Sequence, residues 1–244
     1  MRTTRCHVDQ PLAPGAVATL SELATGHLVR VLRLGVGDPV LLFNGDGHDF
    51  AARLVSVGKR GAEAEVIDAR PVANESPLRI TLAQGIARGD KMDWVLQKAT
   101  ELGVAAISPV RTERTEVRLD AERAGKRLAH WQGVVVSACE QSGRARLPAL
   151  ADPDSLANYA AAESADVKLV LDPNANLGLG DLALPAAAAV ALLVGPEGGL
   201  SERDLATAQA AGFRGLRLGP RILRTETAGL AAIAALQAIY GDLG

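Results

Sequence analysis

The sequence predicts an α/β protein in two parts: a small β-barrel-like part over residues 1–72, then a parallel sheet covered by helices over residues 73–244. Three observations predict it. Residues up to about 72 read as short alternating strands and turns. After Leu78 the rhythm becomes strand, helix, strand, with Val167–Leu171 and Val190–Val194 as short unbroken apolar runs, the mark of strands buried on both faces. Between the two parts lies Pro71–Pro77, polar and holding Asn74 and Ser76, a candidate linker.

The elements follow in order. Leu23, His27, Val31 and Leu34 have helical spacing and predict a short helix near Glu22–Leu32. Pro39–Phe43 is an apolar strand, and Asn44-Gly45-Asp46-Gly47 is a strong turn signal. Asp49–Val57 and Ala62–Ala69 alternate apolar and polar residues around Lys59-Arg60-Gly61. Leu78–Gln84 is a buried strand. Asp90–Leu102 is a helix through Met92, Val95, Leu96 and Ala99, closed by Gly103. Ala105–Val110 is a strand and Ala121–Cys139 a long helix. Ser201–Ala211 is a helix capped by Ser201 with Asp204 and ended by Gly212. Leu216–Leu218 is a short strand, and Glu226–Tyr240 an Ala-rich helix with almost no polar face, which must be covered on most sides.

Composition narrows the function. Hydrophobic residues are 48% of 244, enough for a core and too many for intrinsic disorder. With three Phe, two Trp and two Tyr, stacking platforms for unpaired bases are few. No run of about 18 apolar residues exists to cross a membrane, and Met1–Leu12 lacks the apolar stretch of a secretory signal. Cys6 and Cys139 lie far apart, which favours free thiols in a reducing cytoplasm. Charge is uneven. Residues 76–150 carry 12 basic and 8 acidic residues, including Arg111, Arg114, Arg118, Arg123, Lys126, Arg127, Arg144 and Arg146. Residues 151–244 carry 6 and 11. Only the middle leans towards nucleic acid, and on charge alone a solvated helix face is the better explanation.

Several familiar chemistries are excluded. Gly178-Leu-Gly180-Asp-Leu-Ala183 matches a dinucleotide fingerprint on paper, but no strand leads directly into it and Pro185 stops any helix after it. It reads as a surface loop, which argues against a nucleotide-dependent oxidoreductase. There is no phosphate-binding Walker loop and no Gly-x-Ser-x-Gly nucleophile. His7, His27, His48 and His130 show no metal-ligand spacing.

Two segments remain. Gly195-Pro196-Glu197-Gly198-Gly199-Leu200-Ser201 follows a buried strand and precedes a capped helix. Open α/β sheets bind ligands at that place, and the glycines would let a ligand approach the backbone. Leu218-Gly219-Pro220-Arg221-Ile222-Leu223-Arg224-Thr225-Glu226-Thr227 also joins a strand to a helix. Thr225 suits an N-cap and Glu226 suits the helix dipole. Arg221 and Arg224 oppose that dipole, and a locally broken rule points to function.

These segments, with His27–Arg33 (HLVRVLR), Gly85–Gly103 (GIARGDKMDWVLQKATELG) and Ala138–Arg146 (ACEQSGRAR), resemble the RsmE family of rRNA methyltransferases in the SPOUT superfamily. The resemblance covers nearly the whole chain. It implies a PUA-like RNA-binding domain over 1–72 and a SPOUT methyltransferase domain with a deep trefoil knot over 73–244. It implies methyl transfer from S-adenosylmethionine to N3 of one uridine in 16S rRNA. It also implies a homodimer with the cofactor near its interface.

On that reading the cofactor lies against Leu171, Gly195, Pro196, Glu197, Gly198, Gly199, Leu218, Gly219, Leu223, Thr225 and Ala228. N3 of uridine becomes nucleophilic only as its proton leaves. Arg221 or Arg224 could stabilise the negative charge that then develops. Glu226 could orient an arginine or accept the proton. No metal is expected, since nothing in the transfer asks for a Lewis acid. Arg5, Arg30 and Arg33 are the expected RNA contacts of the first domain. The modest charge favours the assembled small subunit over naked RNA as substrate. A non-catalytic RNA-binding protein is the alternative, and it leaves the two C-terminal loops without a role.

Overall fold

The computed structural model describes residues 4–58, 61–117 and 121–244, with the side chains of 121–123 left out. The turn at Lys59-Arg60, Arg118 and the Arg123 side chain therefore lie outside the described residues. The chain divides into two compact units, residues 1–74 with 139–147, and residues 75–138 with 148–244. The return of 139–147 to the first unit is invisible to any reading that cuts the chain once.

In the first unit β1 (Arg5–His7), β2 (Val17–Leu20), β3 (Pro39–Phe43), β4 (His48–Val57) and β5 (Ala62–Pro71) form one sheet in the order β1-β3-β4-β5-β2. The β1–β3 pair is parallel and the others are antiparallel. β4 carries register shifts at Ala51/Ala52 and Leu54/Ser56, which bend it. Alternate residues Phe50, Ala52 and Leu54 of β4 face a core with Val40, Leu42 and Leu28. The helix expected near Glu22–Leu32 is one turn, α1 (Glu22–Thr25), that widens into a π-helix over Gly26–Val31. Arg33, just beyond, has φ +57°.

The segment 139–147 is fastened to this unit by its backbone and one acid. Glu140 accepts from the His7 N–H at 3.0 Å, the Arg144 carbonyl accepts from Arg5, and the Ala145 carbonyl accepts from the Gly47 N–H at 3.1 Å. Arg5 is also ion-paired with Asp49 and lies 4.9 Å from the Phe43 ring centre. Its side chain is only 7% exposed. This corrects the expectation that Arg5 contacts RNA, because a buried guanidinium must be neutralised inside the protein. Arg30 and Arg33 are exposed.

The second unit is built on a wholly parallel sheet: β6 (Arg79–Gly85), β7 (Ala106–Arg111), β8 (Ala149–Leu150), β9 (Asp154–Ser155), β10 (Val167–Leu171), β11 (Ala189–Val194) and β12 (Arg214–Leu216). Its order is β12-β10-β11-β6-β7-β8, with β9 also on β7. Successive residues of the central strands enter opposite cores. Leu82, Leu192 and Val194 pack with residues of α2 (Asp90–Glu101), α3 (Ala121–Ser142) and α6 (Thr225–Tyr240). Ala83, Ala191 and Leu193 pack with α4 (Leu156–Ala162) and α5 (Glu202–Ala210). Burial on both faces is why these strands read as unbroken apolar runs.

Among the differences from the sequence expectation, α3 runs on to Ser142, three residues past the expected end, and three others bear on the second unit. β12 ends at Leu216, two residues early, because β10 pairs with it only through Leu216. The N-cap of α6 is Arg224, with Thr225 inside the helix, for a reason found in the cleft below. The helix α4 was not anticipated; its seven residues, capped by Ser155, carry too short a pattern to declare a period. The glycine pattern at Gly178–Ala183 is a loop with one 3₁₀ turn, as expected. No helix among the described residues is long and apolar enough to cross a membrane.

Candidate active site

Because every pair in the second sheet is parallel, the carboxyl ends of β10, β11 and β12 point the same way. Their last residues Leu171, Val194 and Leu216 form the floor of a cleft of about 580 Å³. Ligand pockets run about 300–1,000 Å³. Its walls are the three loops that leave these strands. Of the residues expected at a cofactor, Leu171, Gly195, Pro196, Glu197, Gly199, Leu218, Gly219, Leu223, Thr225 and Ala228 line it. Gly198 does not. A Cβ there would lie 3.0 Å from the Arg114 Cβ, so that glycine makes room for a neighbouring loop. Gly195 is similar: its Cβ would meet the backbone of Gly199 and Leu200 at 3.0 Å. The loop's glycines serve chain packing against chain more than ligand approach.

The first wall, Gly195–Ser201, is tied from both sides. The Glu197 carboxylate accepts from the Arg88 N–H at 3.1 Å and lies 3.2 Å from the Lys91 ammonium. Partial burial pushes this carboxyl up. Hydrogen bonds from its own and the Arg88 N–H, with Lys91, outweigh that and hold it below the usual range. Arg114 donates to the Gly198 carbonyl at 2.9 Å. At the far end Ser201 and Asp204 exchange capping bonds at 3.0 and 2.9 Å, and Asp204 also accepts from the Glu113 N–H. Asp172, next to Leu171, also lines the cleft, as do Lys91 and Arg114, which were not anticipated. The positions of the last two follow from the packing of α2 and of the loop after β7 against the first wall, which no local motif announces.

The second wall is Leu218–Glu226. Thr225 does not cap α6. Its hydroxyl donates to the Gly195 carbonyl at 2.6 Å and accepts from Gln84 Nε2 at 2.9 Å. The cap position falls to Arg224, whose side chain makes no capping bond. Arg221, Arg224 and Glu226 all line the cleft. Among the described residues Glu226 pairs with neither arginine, and its Oε2 is buried with no hydrogen-bond partner. The cleft thus combines an apolar floor, exposed cations at its rim and one unsatisfied acceptor. Buried acceptors are seldom left so in a protein without a ligand to meet them. No group of three or more potential metal ligands occurs among the described residues.

Comparison with known proteins fits this cleft. A family model described as an RNA methyltransferase domain matches residues 74–237, and one described as an RNA methyltransferase PUA domain matches residues 25–67. The fold is that of the RNA methyltransferases. The chain is 33% identical over 243 residues to the ribosomal RNA small subunit methyltransferase E of Buchnera aphidicola, covering 99% of this chain and 98% of that one. It superposes with a TM-score of 0.91 and 43% identity on the Neisseria gonorrhoeae ribosomal RNA small subunit methyltransferase E bound to S-adenosyl methionine. A Legionella pneumophila methyltransferase in complex with the same cofactor gives 0.95 and 40%. Both structures and this chain are covered over 100% of their lengths. The chain belongs to the ribosomal RNA small subunit methyltransferase E family.

Proposed function

We propose that this protein transfers a methyl group from S-adenosylmethionine to N3 of one uridine in 16S rRNA, presented by the assembled small subunit. The observation that carries the reading is the cleft at the ends of three parallel strands, lined by Arg221, Arg224 and Glu226, whose buried Oε2 has no hydrogen-bond partner among the described residues. The residues fit the cofactor. Leu171, Leu218 and Leu223 offer an apolar shelf for an adenine ring, and backbone groups of Gly195–Gly199 and Leu218–Gly219 lie within the same walls. A carboxylate oxygen lacking a donor suits a site for a cationic ligand. When bound, the cofactor supplies an electrophilic methyl on a sulfonium.

The protein's part is proton and charge management. Glu226 Oε2 is the acceptor for the N3 proton. Arg224, fixed at the α6 N-cap, stabilises negative charge developing on the flanking carbonyl oxygen. Arg221, exposed at the outer bend after Gly219, meets an RNA phosphate. Residues 1–72 supply further RNA contacts through Arg30 and Arg33, and residues 73–244 hold the catalytic machinery. The target base leaves its stack to reach the cleft, at a few kcal/mol.

The chain forms a homodimer. The apolar α6 supports this: Ala232, Ile233 and Leu236 are buried, while Ala231, Ala238 and Ile239 remain exposed on another flank, Ile239 by 55%. We also place the family's trefoil knot here, in the loops that leave β11 and β12, whose walls meet at the Thr225–Gly195 bond. The N-terminal sheet belongs to a PUA-type domain, and the enzyme works in the cytoplasm.

The test is single-turnover methylation of small-subunit particles with labelled cofactor, with the modified nucleotide mapped. Arg224→Ala should cost about 2.7–4 kcal/mol in rate, as lost oxyanion donors do, with RNA and cofactor affinity nearly intact. Arg221→Ala should weaken RNA binding and flatten its salt slope. A wild-type rate in Arg224→Ala at saturation, or a label on any atom but a uridine N3, refutes the reading.

A further inference from the structure

We propose that Gln84 is a positioning residue: through the Thr225 hydroxyl it sets the spacing of the two cleft walls, and with it the affinity for the cofactor. This rests on the cleft being the S-adenosylmethionine site.

Gln84 is the polar exception among the buried residues of its strand. Ile80, Leu82 and Ala83 of β6 are buried and apolar, and Gln84 is buried as completely, at 0% exposure. Its Nε2 donates to the Gly85 carbonyl and to Thr225 Oγ1, both at 2.9 Å. Thr225 Oγ1 has one proton, and it is spent on the Gly195 carbonyl at 2.6 Å. A carbonyl can only accept, so the hydroxyl must point at Gly195 and receive from Gln84. The chain of bonds therefore has one direction, Gln84 to Thr225 to Gly195, and the amide has one orientation.

That orientation carries a cost. With Nε2 turned to Thr225, Gln84 Oε1 is left buried and without a partner. A Cβ on Gly229 would stand 3.6 Å from it, so the helix passes close by and offers it no donor there. Burying an acceptor unpaired is unfavourable, and an apolar side chain of the same volume would avoid it. What the amide provides is the second bond to Thr225. Gly195 begins one wall of the cleft and Thr225 ends the other, and both line it. The network joins the walls at their roots. It also goes with the displaced cap, because the Thr225 oxygen accepts from Gln84 and from no α6 amide among the described residues.

The test uses the full chain with Gln84→Met, Thr225→Val, Thr225→Ser and the Gln84→Met/Thr225→Val double variant. Three quantities are measured: S-adenosylmethionine affinity by calorimetry, the thermal midpoint without ligand, and amide exchange in residues 196–199 and 219–224 without ligand. Gln84→Met and Thr225→Val should each weaken the cofactor tenfold or more and speed exchange in both walls. The midpoint of Gln84→Met should not fall, because the unpaired oxygen is gone. Thr225→Ser should recover most of the lost affinity. The double variant should bind no worse than the weaker single one, since both break one chain of bonds.

Cofactor affinity within twofold of wild type in Gln84→Met, additive losses in the double variant, or Thr225→Ser as weak as Thr225→Val would overturn the proposal. If Gln84→Met fails to fold, the two Thr225 variants decide alone. A wild-type protein that binds no S-adenosylmethionine would instead refute the reading of the cleft, and the exchange comparison would still judge the network.

Discussion

Gly85 ends β6 opposite Val110, and the first cleft wall passes directly over it. A Cβ added there would lie 2.5 Å from the Pro196 nitrogen and 2.8 Å from the Gly195 carbonyl carbon. Ordinary contact begins near 3.4 Å, so Gly85→Ala forces the wall back by about 0.9 Å. The obstacle is backbone, which no rotamer change can relieve. Overpacking of this kind costs about 1–3 kcal/mol, and in a chain of this size each kcal/mol moves the melting midpoint by about 2–4 °C. A fall of about 2–12 °C is expected. Gly195 and Pro196 line the cleft, so cofactor affinity should fall too, about tenfold for every 1.4 kcal/mol of strain that persists in the complex. Gly133→Ala on exposed α3 is the control. Nothing lies within 4 Å of its Cβ, and alanine is favoured over glycine in a helix by about 0.8–1.0 kcal/mol. Scanning calorimetry and titration with S-adenosylmethionine read both. A Gly85→Ala protein that melts with the wild type and binds cofactor within twofold would refute this account of the wall.

Arg5→Ala should destabilise the protein by about 3–5 kcal/mol by leaving Asp49 buried without its cation, and adding Asp49→Asn should recover part of the loss. A wild-type midpoint with weakened RNA binding would restore Arg5 to the RNA surface. Burial pushes the Cys6 thiol up to about 12, with the Glu140 charge adding to it. At pH 8 it stays protonated and should resist a disulfide reagent until denaturant is added; fast labelling of the native protein would contradict its burial. The Glu197 carboxyl is held below its ordinary value when folded. Its contribution is complete above that ordinary value and is lost as pH falls through the folded one. The stability gap between wild type and Glu197→Gln should therefore be constant from neutral pH to about pH 5 and close in stronger acid, and a gap that widens there would reverse the sign.

What the sequence made legible was whatever a short stretch could encode alone. β10 and β11 announce themselves because both faces are buried, and α5 because Ser201 and Asp204 form a capping box within four residues. Of the two loops of the cleft, the first stood out for its glycines at the end of a strand and the second because arginines at a helix N-terminus break a local rule. The misreadings concern partners distant in the chain. Arg5 looks like a free cation until Asp49, 44 positions away, is seen beside it. Thr225 looks like a cap until Gln84, 141 positions away, is seen donating to its oxygen. Lys91, in the first turn of α2, and Arg114, in the loop after β7, reach the cleft, and nothing near them signals a destination. The role of Ala138–Arg146 was similarly hidden, since its bonds to His7, Arg5 and Gly47 all cross long stretches of chain.

That last segment has a consequence for how the protein is made. The first unit takes its final piece from residues 139–147. A nascent chain that has emerged only to residue 74 holds all five strands of that sheet, yet the Arg144 carbonyl that engages Arg5 and the Glu140 carboxylate that engages His7 do not yet exist. At about 5–20 residues per second, translation needs roughly 4–15 s more to deliver them. For that interval α2 and most of the chain leading into α3 are already emerging. Completion of the amino-terminal unit is thus deferred into the synthesis of the second, and a fragment cut at residue 74 has every strand of the sheet but not the segment that completes the unit.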